Sequence, residues 1–285
     1  MEKKTFFILG ASGWVGHYLV PALKRSQPDA QIYAFYRSQR PDALAPFAIL
    51  DSPSDFFLAL TEGPPATVIH LGRGEEEKDF QFHQRVIRLQ NQRGSRYVYA
   101  SSFNALDADV SRPHNEDDPI ASQTPYGQFK GRCEKAMQEG CKLPVIFRFA
   151  ATHGWAPNRK ARTESFLEKL AKGEDIAMEK DIVQNRTFVG DLAEQIALLA
   201  ANEKAQGIFH LGTSDSSDEV DFHREMAAAF GYRREKIIVG ESSPCNAFML
   251  MNRFKEAFPR YRIPTEKETI LKTAAQPELA RFKRI

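Results

Sequence analysis

The feature that most constrains this chain is a glycine-spaced turn between a short apolar run and a helical pattern. Thr5–Leu9 reads as a buried strand, Gly10-Ala11-Ser12-Gly13-Trp14-Val15-Gly16 follows at once, and a helix pattern runs over about 14–25. A turn this tight needs glycine for positive φ. Missing side chains also let backbone N–H groups approach a pyrophosphate at the positive end of the helix. The spacing is Gly-x-x-Gly-x-x-Gly, and the same glycines would also serve plain close packing of helix on strand. Their place between the first strand and first helix of a βαβ unit favours a dinucleotide. Gly10, Ser12, Gly13, Trp14, Val15 and Gly16 are therefore candidate cofactor-binding residues.

The pattern continues beyond that unit. Further strands are expected at Gln31–Tyr36, Phe47–Leu50, Thr67–Leu71, Tyr97–Ala100 and Val145–Phe149, mostly continuous apolar stretches such as a parallel sheet buried on both faces requires. Helices are expected between them, at 54–60, 78–93 and 126–139. This alternation predicts an α/β fold, a doubly wound parallel sheet of Rossmann type. After residue 150 helices are expected at 163–172, 189–202 and 218–230, with one strand at Ile208–Leu211. Pro259 and Pro264 cut the remainder into short pieces. The expected organisation is a dinucleotide-binding domain over 1–150, with 187–212 added to it, and a small substrate lobe from the discontinuous segments 151–186 and 213–285.

With 285 residues, 42% of them hydrophobic and 27% charged, the chain is long enough to bury a sizeable core. The formal net charge of +2 carries no footprint for nucleic acid or for an anionic membrane surface. Cys133, Cys141 and Cys245 are an odd number without metal-like spacing, which argues against a secreted disulfide framework. The apolar run before Gly10 is too short for a signal-peptide core or a membrane span. A soluble cytoplasmic protein is expected, with no structural metal and with a homodimer as the prior for this architecture.

In a dinucleotide domain an acidic residue at the end of strand two accepts from a free ribose 2′-hydroxyl. Here that position carries Arg37, with Arg40 close behind. A guanidinium there favours a 2′-phosphate, so NADP(H) is predicted over NAD(H), against a reading of two solvated loop arginines. Asp51, ending strand three, is a weaker candidate for the adenine amino group, or a plain turn residue.

Tyr126 and Lys130, four apart at the start of a helix, share one face. Ser101 and Ser102 end the strand before it. Reducing a ketone needs a hydride donor on one face and an acid for the developing alkoxide. A phenol serves if its pKa falls from about 10 towards 7, and one ammonium about 4 Å away at an effective dielectric near 20 supplies roughly that shift. Lys130 is the expected tuning cation and a holder of the nicotinamide ribose. Ser102 is the expected partner of the carbonyl.

Gly10-x-x-Gly13-x-x-Gly16, Ser102 and Tyr126-Gly127-x-x-Lys130-x-x-x-Glu134 together resemble the extended short-chain dehydrogenase/reductases. Val68-Ile69-His70-Leu71 resembles that group's fourth-strand signature, which implies Leu71 at the cofactor. The second half resembles the dTDP-4-dehydrorhamnose reductase branch through Glu116-x-Asp118-Pro119, Pro125-Tyr126-Gly127, Thr187-Phe188-Val189-x-Asp191-Leu192-Ala193 and Gly207-Ile208-Phe209-His210-Leu211. The resemblance implies an NADP(H)-dependent reductase of a keto group on a nucleotide-activated sugar. Two alternatives stay open: an epimerase that retains NAD, and a cofactor-binding regulatory or sensor protein with little turnover. Phe103-Asn104, where several dehydratases of the group carry Asp-Glu, disfavours dehydration. Arg186 stands where the reductases have proline, and Ala151-Thr152-His153-Gly154 where Tyr-Gly is common. Arg159, Arg162 and Arg186 are read either as contacts to a substrate diphosphate or as surface charge. His153 is read as a substrate contact or a hydrogen-bonded structural histidine.

Overall fold

The computed structural model describes residues 3–35, 48–50, 53–157 and 159–284. In chain order its elements are β1 (Thr5–Leu9), α1 (Trp14–Ser26), β2 (Gln31–Phe35), β3 (Ala48–Leu50), α2 (Pro53–Glu62), β4 (Thr67–His70), α3 (Glu77–Arg93), β5 (Arg96–Ala100), α4 (Pro125–Gly140) and β6 (Pro144–Arg148). There follow β7 (Ala151–His153), α5 (Arg162–Ala171), β8 (Ile176–Gln184), β9 (Arg186–Phe188), α6 (Val189–Ala201), β10 (Gly207–His210), α7 (Glu219–Ala229), β11 (Ile237–Ala247), α8 (Asn252–Ala257) and α9 (Glu266–Ala274).

Two compact units arise. The first comprises Met1–Asp107, Pro119–Arg148 and Ala193–Phe209. Its sheet runs in the order β10-β6-β5-β4-β1-β2-β3, with β2, β1, β4, β5 and β6 parallel to their neighbours. Every residue of β1 and of β5 is buried, as central strands covered on both faces must be. The chain steps outward from β1 to β3 and then returns to β4 on the other side of β1. The strand order therefore reverses at the carboxyl ends of β1 and β4, the place where open α/β sheets bind ligands. α3 begins at a capping box of Glu76 and Asp79, so Glu75-Glu76-Glu77 is a helix start complementing the dipole, and it ends at Gly94 with φ +64°.

The second unit comprises Ala108–Asp118, Phe149–Leu192 and His210–Ile285. Phe166, Leu167, Ile176, Phe222, Phe230 and Leu279 are among the residues of its core. Parallel pairs β7·β9 and β8·β11 flank this core. Neither β8 nor β11 was expected. In β11 only Ile237 and Ala247 are buried, and Gly240 and Pro244 fall at two shifts of register, so no alternation survives in the sequence. β8 contains Asp181 at φ +66°, which interrupts its pattern likewise. Among the described residues no helix is long and apolar enough to cross a membrane, and no acidic, histidine and cysteine group could hold a metal ion.

Candidate active site

The glycine turn is built by removing side chains. Gly10 has φ +87°, a conformation that costs a residue with a Cβ. Its N–H and that of Ala11 both donate to the Phe35 carbonyl at 3.1 Å, which ties the turn to the end of β2. A Cβ at Gly16 would stand 2.4 Å from the Gly10 carbonyl oxygen and 2.6 Å from that of Ala11, so α1 lies against the turn at a distance no side chain permits. Gly13 caps α1 in extended conformation, and no acidic residue occupies the first turn. A helix start with no side-chain cap at Gly13 and no competing carboxylate in its first turn suits a diphosphate. Ser12, Trp14 and Val15 are half-buried around the turn. Leu71 follows β4, and its N–H donates to the Leu9 carbonyl at 2.9 Å, so it sits beside the turn at the switch point. Arg37, Arg40 and Asp51 lie outside the described residues.

The edge after β5 is built by the opposite means. Ser102 is buried and caps the short 3-10 helix Phe103–Leu106, its hydroxyl accepting from the Asn104 N–H at 3.2 Å. Asp107 then gathers the segment before α4. Its carboxylate accepts from Ser122 Oγ at 2.6 Å, the Gln123 N–H at 3.0 Å, Thr124 Oγ1 at 2.9 Å and Asn104 Nδ2 at 3.2 Å. Burial works against this charge, but the hydrogen bonds from Ser122 and Thr124 outweigh it and hold the pKa below the usual carboxylate value. Thr124 caps α4 by accepting from the Gly127 N–H, and Pro125 takes the first helical position. A Cβ at Gly127 would come within 2.0 Å of the Asn104 carbonyl oxygen and of Ser122 Oγ, so glycine after Tyr126 is a packing requirement.

Tyr126 is thereby set half-buried at the head of α4, near enough to Ser102 for the serine hydroxyl to favour the phenolate. Lys130, one turn on, is 2% exposed, and its Nζ lies 5.7 Å from the Tyr126 ring centroid. The ammonium donates to the Ala100 carbonyl at 2.9 Å, to Tyr99 Oη at 3.1 Å and to the Gly72 carbonyl at 3.4 Å. Burial pulls its pKa down to about 8. Ser102, Tyr126 and Lys130 therefore meet at the carboxyl ends of β4 and β5.

Burial pushes the Tyr126 pKa above its ordinary value, and among the described residues the cation nearest its ring is Arg73, whose guanidinium carbon lies 4.7 Å from the centroid. Beneath the site, Ser101 donates to Glu134, and Glu134 is paired with Arg148 at 2.6 Å, both side chains fully buried. That pair accounts for the acidic residue of Tyr126-Gly127-x-x-Lys130-x-x-x-Glu134.

Residues of the second unit take structural parts. Arg186 is neither a surface charge nor a free phosphate ligand: it is fully buried and bridges Glu219 at 2.6 Å and Glu266 at 2.9 Å. His153 is buried against Phe222, with ring centroids 4.7 Å apart, and burial holds its pKa well below the ordinary value. Arg159 and Arg162 are exposed. The sequence reading missed Asp107, Tyr99 and Arg73. Asp107 has no signature because three of its four partners lie 15 to 17 positions away. Arg73 sits in a loop whose course the sequence does not specify.

A doubly wound sheet with a glycine turn after its first strand and a Tyr-x-x-x-Lys helix after its fifth is the architecture of the extended short-chain dehydrogenase/reductases. The model of the RmlD substrate binding domain matches residues 75–248, more than half of the chain, and the protein belongs to that family. It is 24% identical over 234 residues to a probable dTDP-4,6-dihydroxy-2-methyloxan-3-one 4-ketoreductase of Streptomyces antibioticus, which covers 78% of this chain and 75% of that protein. Among solved structures, dTDP-4-dehydrorhamnose reductase from Bacillus anthracis str. Ames in complex with NADP is similar with a TM-score of 0.79 at 18% identity, over 95% of this chain and 99% of that one. UDP-N-acetylglucosamine 4-epimerase from Bacillus cereus is similar with a TM-score of 0.79 at 20% identity, over 98% and 100%. At these identities the structural likeness is one of fold.

Proposed function

We propose that the protein is an NADP(H)-dependent oxidoreductase that reduces a keto group on a nucleotide-activated sugar. The observation that carries the reading is the gathering of Ser102, Tyr126 and the Lys130 ammonium, its Nζ 5.7 Å from the phenol ring centroid, at the sheet's switch point. Membership of the RmlD family, the ketoreductase relative and the NADP-bound neighbour support the same class. The turn Gly10–Gly16 would hold the cofactor's diphosphate on the start of α1, and Arg37 its 2′-phosphate. Leu71 and Lys130 would hold its nicotinamide end. When bound, the reduced nicotinamide supplies a hydride.

The chain's own residues supply the rest. The Ser102 hydroxyl donates to the substrate carbonyl and fixes its orientation. The Tyr126 phenol gives its proton to the oxygen as negative charge develops there. Lys130 is held by Tyr99, Ala100 and Gly72 so that its charge faces the phenol from the protein side. Work in the cytoplasm agrees with three free cysteines, and a homodimer rests on the architecture.

The test is a panel of nucleotide keto-sugars offered with NADPH. Loss of the reduced-nicotinamide absorbance is expected with at least one of them. Tyr126→Phe should cost about 10²–10⁴ in kcat while NADPH still raises the Tm of the variant. Nucleotide released as NAD from denatured protein, with no NADPH consumed by any sugar, would instead identify an epimerase. Binding without turnover, unaltered by Tyr126→Phe, would identify a sensor.

A further inference from the structure

We propose that Arg73 is a positioning residue that acts through Tyr126, a second cation setting how readily the phenol parts with its proton. The inference rests on the reading of Tyr126 as the acid. Its basis is a difference in how two cations are held. Lys130 is buried and committed to three oxygens, with Nζ 5.7 Å from the phenol ring centroid. Arg73, on the loop at the carboxyl end of β4, lays its guanidinium over that ring at 4.7 Å. Gly74, at φ +55°, turns the chain directly after Arg73.

The charged and titratable groups around Tyr126 are few. Arg73 and Glu75 face it from the loop after β4, Lys130 from its own helix, and Tyr99 from β5. Arg73 also pairs with Glu75, so the loop presents a cation and an anion with opposite effects on the phenol. A guanidinium keeps its charge throughout the working pH range, whereas Lys130, depressed to about 8, loses its own as the solution turns alkaline. Arg73 then keeps favouring the phenolate at a pH where Lys130 is neutral. The same side chain stabilises the ring by a cation–π contact and limits its rotation. The Arg73 side chain is 71% exposed, so its influence is moderate and sensitive to salt.

The experiment places 3,5-difluorotyrosine at position 126 in the full-length protein. That phenol titrates several units lower than tyrosine, so fluorine NMR follows it where the protein stays folded. Arg73→Ala should raise the midpoint by roughly 0.5–1 pH unit, Arg73→Lys should restore part of the shift, and Glu75→Gln should lower it. High salt should shrink each difference. Thermal unfolding of each variant verifies that it folds. A midpoint unmoved in Arg73→Ala, or moved in the same direction by Arg73→Ala and Glu75→Gln, overturns the proposal. The titration needs no substrate, so it decides the role of Arg73 even if no sugar is reduced. Should Tyr126→Phe abolish reduction while Arg73→Ala leaves the phenol unmoved, the reductase reading stands and this inference falls.

Discussion

The two halves of the candidate site, the β1–α1 turn and the β5–α4 edge, are made in contrary ways. The turn is made of backbone: Gly10 and Gly16 remove atoms so that α1 can lie on the chain that precedes it. The edge is made of side chains: Asp107 binds four donors, Thr124 caps α4, and a fully buried Glu134–Arg148 pair fixes the helix from below. A surface meant for a diphosphate needs bare N–H groups and room. A surface meant to aim a phenol needs rigid, directional contacts. The contrast predicts that damage to the turn is felt first in cofactor affinity, and damage to the edge in stability and kcat.

The largest effect should come from Arg148→Met. Removing the guanidinium strands Glu134 at 0% exposure, a cost of about 3–5 kcal/mol. Urea unfolding measures it. Replacing both partners, Glu134→Leu with Arg148→Met, should recover much of that loss, and failure to recover would mean that Ser101 and the remaining contacts matter more than the charge pair. Next comes Gly16→Ala. A Cβ 2.4 Å from a backbone oxygen forces turn and helix apart, at about 1–3 kcal/mol of stability. The sharper readout is the NADPH-induced rise in Tm, which should nearly vanish in Gly16→Ala and persist in Arg148→Met. If both variants lose it equally, the division of labour between turn and edge is wrong.

This division also explains what the sequence could disclose. A missing side chain is visible as glycine, and three of them at fixed spacing after an apolar run announced the turn. The central strands were visible for a related reason: β1 and β5 are buried on both faces and so read as unbroken apolar runs. Tyr126 and Lys130 share a helix face by spacing alone. The Asp107 contacts were hidden because Asp107 reaches partners 15 to 17 residues on, and one aspartate in a loop that also holds Asp109, Asp117 and Asp118 carries no period. Arg186 was misjudged because an arginine in sequence gives no sign of two carboxylates 33 and 80 positions away. β8 and β11 escaped because a mostly exposed ribbon with bulges loses the alternation by which strands are recognised.

A smaller effect is expected from Asp107→Ala. The substitution frees Ser122, Gln123 and Thr124 from their common acceptor while leaving each near solvent, so the stability cost is about 1–2 kcal/mol. Tyr126 would still be present but less well aimed. The expected signature is a lower kcat with an almost unchanged Kd for NADPH. A change confined to Kd would move Asp107 out of the edge and into the cofactor's surroundings.

The smallest effect, and the one that divides edge from turn most finely, is the response to pH at Lys130. Its folded pKa is depressed to about 8 from an ordinary 10.5 by burial. Between those values the unfolded chain binds a proton that the native state lacks, so this group makes the protein more stable as pH rises through the window. Cofactor binding should respond in the other direction. As Lys130 turns neutral it withdraws one cation from the nicotinamide end, and affinity for NADPH should fall roughly three- to tenfold, about 1 kcal/mol, across the same pH range. Calorimetric titration with NADPH at several pH values, beside urea unfolding of the free protein, measures both slopes. Lys130→Met should flatten the first while leaving the diphosphate's hold on the glycine turn intact. Parallel slopes in place of opposed ones would mean that the ammonium serves the packing of α4 and takes no part in holding the nucleotide.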